Sequence, residues 1–309
     1  MISIIIPVYN AEHSIYNLTK KILEVFTEHQ VEIILVNDDS PDKSGEECIK
    51  AREHFQSQVS YIKLSKNVGE HNAVMAGLRH GEGDWTIIMD DDFQSLPEEA
   101  LKLVNHAMQN KYDVVYGDYF KKEQSFFRNF GSKINDMTAN YILKKPKGLY
   151  LSSFKCIKKK LLKNIINYQG PFPYIDGLIL AITSNIGSFK INHSTRKIGK
   201  SNYTFIKLLK LYGNMSVNFS TVPIHFFSSL GIVIAIASTL YGISIVIEKI
   251  FIPETPLGYS SILTAIIFFS GLQLIFFGLL GEYVGKILKN VNQEPQYTIE
   301  YKSLKNAKK

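Results

Sequence analysis

Met89-Asp90-Asp91-Asp92-Phe93-Gln94-Ser95-Leu96-Pro97-Glu98 is where this sequence turns abruptly from apolar to acidic. The run before it, Trp85-Thr86-Ile87-Ile88-Met89, is short and β-branched, the pattern of a buried strand. Pro97 followed by Glu98 and Glu99 reads as the first turn of a helix. The three carboxylates therefore fall in a strand-to-helix loop, the edge of an open α/β sheet where ligands bind. Side chains alternate along an extended segment, which groups Asp90, Asp92 and Gln94 on one side and turns Asp91 away, so that alanine is expected to be tolerated at 91. Oxygen ligands on one side suit a hard cation, Mg²⁺ or Mn²⁺, held against substrate phosphates. The competing reading of the triplet alone is a solvated acidic turn.

The elements upstream repeat the same arrangement. Strands are expected at Ile2 to Val8, Val31 to Asn37, Val59 to Leu64 and Thr86 to Met89, with a fifth at Val114 to Tyr116. Helical spacing falls between them, at Ser14 to Phe26, Ser44 to Phe55, His71 to Arg79 and Pro97 to Asn110. Alternating strands and helices imply a mainly parallel sheet covered by helices on both faces. Burial on both faces explains why Ile4-Ile5-Ile6 and Ile33-Ile34-Leu35-Val36 are unbroken apolar runs. Beyond residue 148, a strand over Leu149 to Ile157, a basic helix over Lys158 to Ile166 and an apolar helix near Leu180 are expected.

The 309 residues carry 35 Lys+Arg against 28 Asp+Glu, a formal charge of +7. A basic balance suits nucleic acid or an anionic membrane surface. Lysines flank very apolar segments here, which favours membrane lipids and excludes nucleic acid as the expected partner. Cys48 and Cys156 share no ligand spacing, so two reduced thiols are expected rather than a zinc site or disulfide. Ile2 to Ile6 has no basic flank and stops at Pro7, so it reads as a first strand and not as a signal peptide.

The second half changes character. Basic and aromatic residues interleave from Phe120 to Tyr150, and Thr204 to Asn218 is amphipathic, both patterns of a membrane interface. Phe226 to Ile247 has no formal charge and would rise about 33 Å as a helix, enough for a hydrocarbon core. A second span is expected at about 260–280. Lysines before the first and after the second put both ends on the cytoplasmic side. The expected organisation is a catalytic domain over 1–203, an interfacial helix over 204–221, a transmembrane hairpin over 222–288 and a cytoplasmic tail over 289–309. A short strand is expected at Gln296 to Tyr301, with Lys305 to Lys309 mobile.

Five motifs now stand in order: Pro7-Val8-Tyr9-Asn10, Val36-Asn37-Asp38-Asp39-Ser40, Leu64-Ser65-Lys66-Asn67-Val68-Gly69, Asp90-Asp91-Asp92, and Arg196 with Gly199, Ser201 and Tyr203 before the hairpin. Over nearly the whole chain this resembles the family 2 glycosyltransferases of GT-A fold, in particular the polyprenyl-phosphate type. The resemblance implies an inverting, metal-dependent transfer of a sugar from a nucleoside diphosphate sugar, expected to be UDP-linked, to undecaprenyl or another polyprenyl phosphate at a bacterial inner membrane. It implies that Pro7, Tyr9, Glu12, Asp38, Lys66, Gly69 and Asp90 hold the nucleotide sugar, and that Asp90, Asp92 and Gln94 hold Mg²⁺ or Mn²⁺. By the same resemblance Arg128, Ser132, Arg196, Ser201 and Tyr203 gather the lipid phosphate. Asp90, Asp92 and Arg196 would then carry catalysis, and a homo-oligomer up to a tetramer becomes an option.

One stretch departs from the pattern. Where many relatives carry an Asp, an aromatic and an Arg, this chain has Ser152-Ser153-Phe154-Lys155. A general base at that position is therefore in doubt, although a lipid phosphate is already an anion and needs none. Asp176 is a further carboxylate, open between a structural and a site role. Two other readings compete. A processive polysaccharide synthase would use a Gln-x-x-Arg-Trp motif, but the sole Trp is Trp85, inside a strand. A non-catalytic scaffold or flipping component would be expected to show charges within its spans.

Overall fold

A computed structural model describes residues 1–119, 146, 148–191, 222–251 and 258–305. The chain forms two compact units, one of residues 1–202 with 293–309 and one of residues 203–292. In the first unit the order is β1 (Ile2–Val8), α1 (Ile15–Val25), β2 (Val31–Asn37), α2 (Ser44–His54), β3 (Val59–Leu64), α3 (Glu70–Leu78), β4 (Trp85–Ile88), α4 (Pro97–Gln109) and β5 (Val114–Tyr119). After the undescribed segment come β6 (Lys155–Lys158), α5 (Lys159–Ile166), α6 (Ile175–Ile182) and β7 (Ile186–Ile191). The second unit holds α7 (Val222–Phe251) and α8 (Tyr259–Val291), and β8 (Ile299–Ser303) rejoins the first.

The eight strands form one sheet in the order β7-β5-β6-β4-β1-β2-β3-β8. β1 pairs parallel with β2 and β4, and β2 pairs parallel with β3, so the C-terminal ends of these four strands lie on one edge. The apolar runs fill two cores. Ile4, Ile6, Ile33 and Leu35 face α1, α2 and α4, while Ile5, Ile34 and Val36 face α3, α5 and α6. Helix α3 lies so close to β1 that a Cβ on Gly77 would stand 2.4 Å from the Ile5 side chain. Both cysteines are buried and free.

The sheet is less uniformly parallel than strict alternation implies. β6 runs antiparallel to both β4 and β5, and β8 runs antiparallel to β3. The strand expected over Leu149 to Ile157 is confined to Lys155–Lys158. β7, parallel to β5, is an edge strand without a clean apolar run, which is why no strand is expected there from pattern alone. The short strand expected at Gln296 to Tyr301 is β8, at Ile299–Ser303, within the range read as a tail. Lys305 is also held, by ion pairs with Glu32 and Glu82, and so is not part of a loose end.

The helices of the second unit contain 30 and 33 residues, about 45 and 50 Å at the α-helical rise. Many of their apolar side chains face outward, among them Ile232, Ile236 and Leu240 on α7 and Phe268, Leu274 and Phe277 on α8. Phe227 and Phe276 pack ring to ring, 6.3 Å between centroids, joining the two helices. Among the described residues, Phe268–Val291 is long and apolar enough to cross a membrane; it overlaps the span expected at about 260–280 and extends past it. The span expected at 226–247 falls inside α7. The expected interfacial helix over 204–221 lies outside the described residues.

Candidate active site

Three loops at the common edge share an unusual backbone feature. Asn10 after β1, Asp39 after β2 and Phe93 after β4 all take positive φ, at 58°, 52° and 60°. Such conformations cost about 1–3 kcal/mol each for non-glycine residues and gather at binding sites. Phe93 is the most telling, because a bulky side chain gains nothing from that region. It bends the chain after Asp92, so Asp91 to Gln94 are not extended.

That bend decides where the acids point, and it corrects the alternation argument at Asp91. The Asp91 carboxylate does not turn to solvent: it accepts the main-chain N–H of Tyr9 at 3.0 Å, tying the end of β4 to the end of β1. Burial pushes its pKa up to about 7, with Asp92 and Asp90 adding to the rise and the Tyr9 N–H opposing it. Asp90 instead faces β6, where its carboxylate accepts the Ser153 hydroxyl at 2.6 Å. Asp92 accepts the main-chain N–H of Gln94 at 3.1 Å, closing the turn. Because the period-two pattern stops before this turn, it no longer groups Gln94 with Asp90 and Asp92.

The residues expected around the nucleotide sit on the same edge. Pro7 is in the last turn of the β1 ladder, opposite Val36. Tyr9 exposes its ring, at 48 % accessibility, where a planar base could stack. Asp38 is buried and accepts two main-chain N–H groups, from Val68 and Gly69, each at 2.8 Å. Burial raises its pKa, and those two hydrogen bonds oppose the rise. Asp38 thus shapes the loop before α3, and Gly69, at φ 88°, is the residue that lets the chain enter that helix. Lys66 is exposed on this loop. Glu12 accepts the N–H of Lys43 while its own N–H binds Asp42, so it links the loops after β1 and β2.

Beside Asp90 lies a hollow of about 190 Å³, lined by Glu70, His71, Val74, Ser153, Lys155 and Asp176 among others. Lys155 and Asp176, both buried, form an ion pair on its floor, and the Tyr116 hydroxyl donates to the same carboxylate at 2.9 Å. Asp176 also stands in the first turn of α6, where the helix dipole favours an anion. Glu70, open to solvent at the mouth but crowded on its other sides, is pushed up to about 7 by burial and the Asp90 charge. Burial holds His71 down at about 4, and its ring packs edge-on against Tyr174 at 5.2 Å. A larger depression of about 510 Å³ between α1 and the start of α4 carries none of the three aspartates.

Glu70, His71 and Tyr116 are residues of this hollow and its floor that no motif singled out; Ser153 and Lys155 lie in the stretch that departs from the relatives' pattern, and Asp176 was visible as a further carboxylate. Arg128, Ser132, Arg196, Ser201 and Tyr203 lie outside the described residues. Among the described residues no three His, Cys, Asp or Glu side chains converge as a closed metal cage. Mg²⁺ does not need one, since it commonly binds one or two carboxylates plus substrate phosphates. Asp90 and Asp92 are the carboxylates of this edge that could serve in that way.

Comparison with known proteins agrees with this geometry. Residues 3–166 match Glycosyl transferase family 2. An undecaprenyl-phosphate 4-deoxy-4-formamido-L-arabinose transferase of Yersinia enterocolitica is 32% identical over 304 residues, covering 97% of this chain and 92% of that protein. The protein of the same description from Photorhabdus laumondii is 30% identical over 307 residues, covering 97% and 93%. Among solved structures, Mycobacterium tuberculosis glucosyl-3-phosphoglycerate synthase superposes with a TM-score of 0.52 at 16% identity, over 71% of this chain and 80% of that one. The same enzyme with Mn²⁺, UDP and phosphoglyceric acid gives 0.50 at 16% identity, over 70% and 74%. The fold and the acid edge define an α/β transferase of GT-A type. The chain belongs to the family 2 glycosyltransferases.

Proposed function

We propose that this glycosyltransferase moves a sugar from a nucleoside diphosphate sugar, UDP-linked, to undecaprenyl phosphate at the cytoplasmic face of a bacterial membrane. The observation that carries the reading is the union at one sheet edge of Tyr9, three carboxylates and a polar-lined hollow beside Asp90. Near full-length similarity to transferases named for undecaprenyl phosphate supports the acceptor. Two long apolar helices support an embedded acceptor, with α7 and α8 as a hairpin whose lysine-rich flanks stay cytoplasmic.

The roles follow from placement. Tyr9 stacks on the base, and the loop carrying Lys66 and Gly69 borders the diphosphate. Mg²⁺ or Mn²⁺ on Asp90 and Asp92 would offset charge on the leaving diphosphate. The hollow takes the sugar, its hydroxyls facing His71, Lys155 and Asp176. An oxygen of the lipid phosphate attacks C1, the bond from C1 to the diphosphate breaks, and the anomeric centre inverts. No base is needed, because the nucleophile arrives ionised; Ser153 serves by holding Asp90. Arg128, Ser132, Arg196, Ser201 and Tyr203 gather the acceptor phosphate, for which guanidinium groups suit bidentate binding.

Purified full-length protein given labelled UDP-sugars, Mg²⁺ and undecaprenyl phosphate should yield one labelled lipid monophosphate sugar. A labelled polymer, or no product from any nucleotide sugar, would sink this reading.

A further inference from the structure

After α8 the chain re-enters the catalytic unit and lies along its edge. The hydrogen bonds of this returning segment to Tyr168, Gly170 and Ser65 fall on two loops that border the site. Gln296, buried, donates from its side-chain amide to the carbonyls of Tyr168 and Gly170, at 3.0 and 2.7 Å. Its amide oxygen accepts from Arg79, at the end of α3, at 3.1 Å. Two residues on, the Thr298 carbonyl accepts both the main-chain N–H and the hydroxyl of Ser65, at 2.9 and 3.2 Å.

The contacts to Ser65, Tyr168 and Gly170 each have a site group close behind them. Ser65 precedes Lys66 on the loop that leads to Gly69. Tyr168 and Gly170 belong to the loop that carries Tyr174 onto His71 and then enters α6, where Asp176 stands. A buried carboxamide with both its donors and its acceptor engaged is a costly arrangement to break: the Gly170 carbonyl would lose the Gln296 donor, while the Tyr168 carbonyl would keep the Arg79 guanidinium at 3.1 Å. Nothing in the chemistry of transfer calls for a glutamine here; its contacts are all to backbone and to Arg79.

We propose that Gln296 is a positioning residue: by fixing the loop ahead of α6 it sets where Asp176 and Tyr174 stand around the sugar hollow. The proposal rests on the transferase reading for its effect on rate, but its structural half does not. The C-terminal strand is then part of the donor site's framework, with Thr298 setting the Lys66 loop and Gln296 setting the opposite wall.

The test compares full-length Gln296→Ala with Lys305→Met, which loosens the far end of the same segment away from both loops. Amide exchange over residues 168–176 should quicken by about tenfold in Gln296→Ala and stay unchanged in Lys305→Met. Turnover at saturating donor should fall on the order of tenfold or more in Gln296→Ala, with UDP affinity unchanged, because a small misplacement of a sugar wall acts on kcat. Gln296→Glu keeps the volume and the Arg79 contact but loses both donors, and should reproduce the pattern if the alanine variant folds poorly. Wild-type exchange in both Gln296 variants, or a kcat loss that Lys305→Met matches at equal loss of Tm, overturns the proposal. Faster exchange in a protein that transfers no sugar even as wild type would support the loop contact and overturn the transferase reading instead.

Discussion

The two edges of this sheet both bury carboxylates, and they treat them differently. At the edge where β1 and β2 begin, Glu32 is 1 % exposed and meets the Ser3 hydroxyl, the Glu82 N–H and the Lys305 ammonium. Around it the backbone is ordinary: no positive φ is found at Ser3, Glu32, Glu82 or Gly83. At the opposite edge three successive aspartates crowd together, each loop carries a residue at positive φ, and burial lifts Asp91 to about 7. An anion that is fully matched holds a fold together. Carboxylates whose pKa is raised, on loops with positive φ at a sheet edge, are the arrangement that gathers at binding sites.

That contrast can be broken at several points. The largest effect is expected from Asp92→Asn, which should cut transfer by about 10²–10³-fold while leaving Tm nearly unchanged, because it removes charge and not shape. Equal turnover by this variant, or turnover indifferent to chelators, would erase the distinction between the edges. Lys155→Met should cost about 3–5 kcal/mol by stranding a buried Asp176, read by denaturation of the detergent-solubilised protein. Adding Asp176→Leu should restore much of that stability without restoring transfer. Asp91→Ala should slow transfer by about tenfold, since Tyr9 loses its tie to β4, whereas Asp91→Asn keeps an oxygen for that N–H and should lose less. On the quiet edge, Lys305→Met should cost about 1–3 kcal/mol and leave kcat at wild-type level when measured well below Tm.

The last prediction concerns pH. His71 is held near 4 in the fold against about 6.5 when unfolded, so the unfolded chain binds more protons between those values. The stability this imidazole contributes is complete above about pH 6.5 and is lost as pH falls toward 4. His71→Gln should therefore flatten the acid limb of a Tm-against-pH curve. An unchanged limb would show that the ring is not shielded as its packing on Tyr174 implies.

The parallel centre of the sheet was legible because burial on both faces leaves a strong mark, as in Ile4-Ile5-Ile6 and Ile33 to Val36. The edge motifs were legible for the same reason: each follows such a run. β7 left no such mark, since an edge strand needs few apolar residues, and the direction of β6 depends on what it pairs with and not on its own four residues. Within the site, the positions of Asp90, Asp92, Tyr9 and Asp38 were readable, but their facing was not. Alternation assumes extended backbone, and Phe93 at φ 60° ends it just where the acids sit. The meeting of Lys155 and Tyr116 with Asp176 was hidden because both look like ordinary strand residues; only the approach of α6 brings Asp176 to them.

β8 closes the sheet against β3, yet Ser65 and Thr298 are 233 residues apart in sequence. At the pace of bacterial-type synthesis, about 5–20 residues per second, β3 is made on the order of 10–50 s before its last neighbour exists. During that interval its outer row of main-chain groups has no strand partner from β8, the condition in which edges recruit wrong neighbours. Lys63, on β3, is a charge of the kind that deters such pairing. In the finished fold the same ammonium meets Glu300 of β8 at 2.9 Å, so the residue that guards the edge while the chain is being made becomes one that receives the arriving strand.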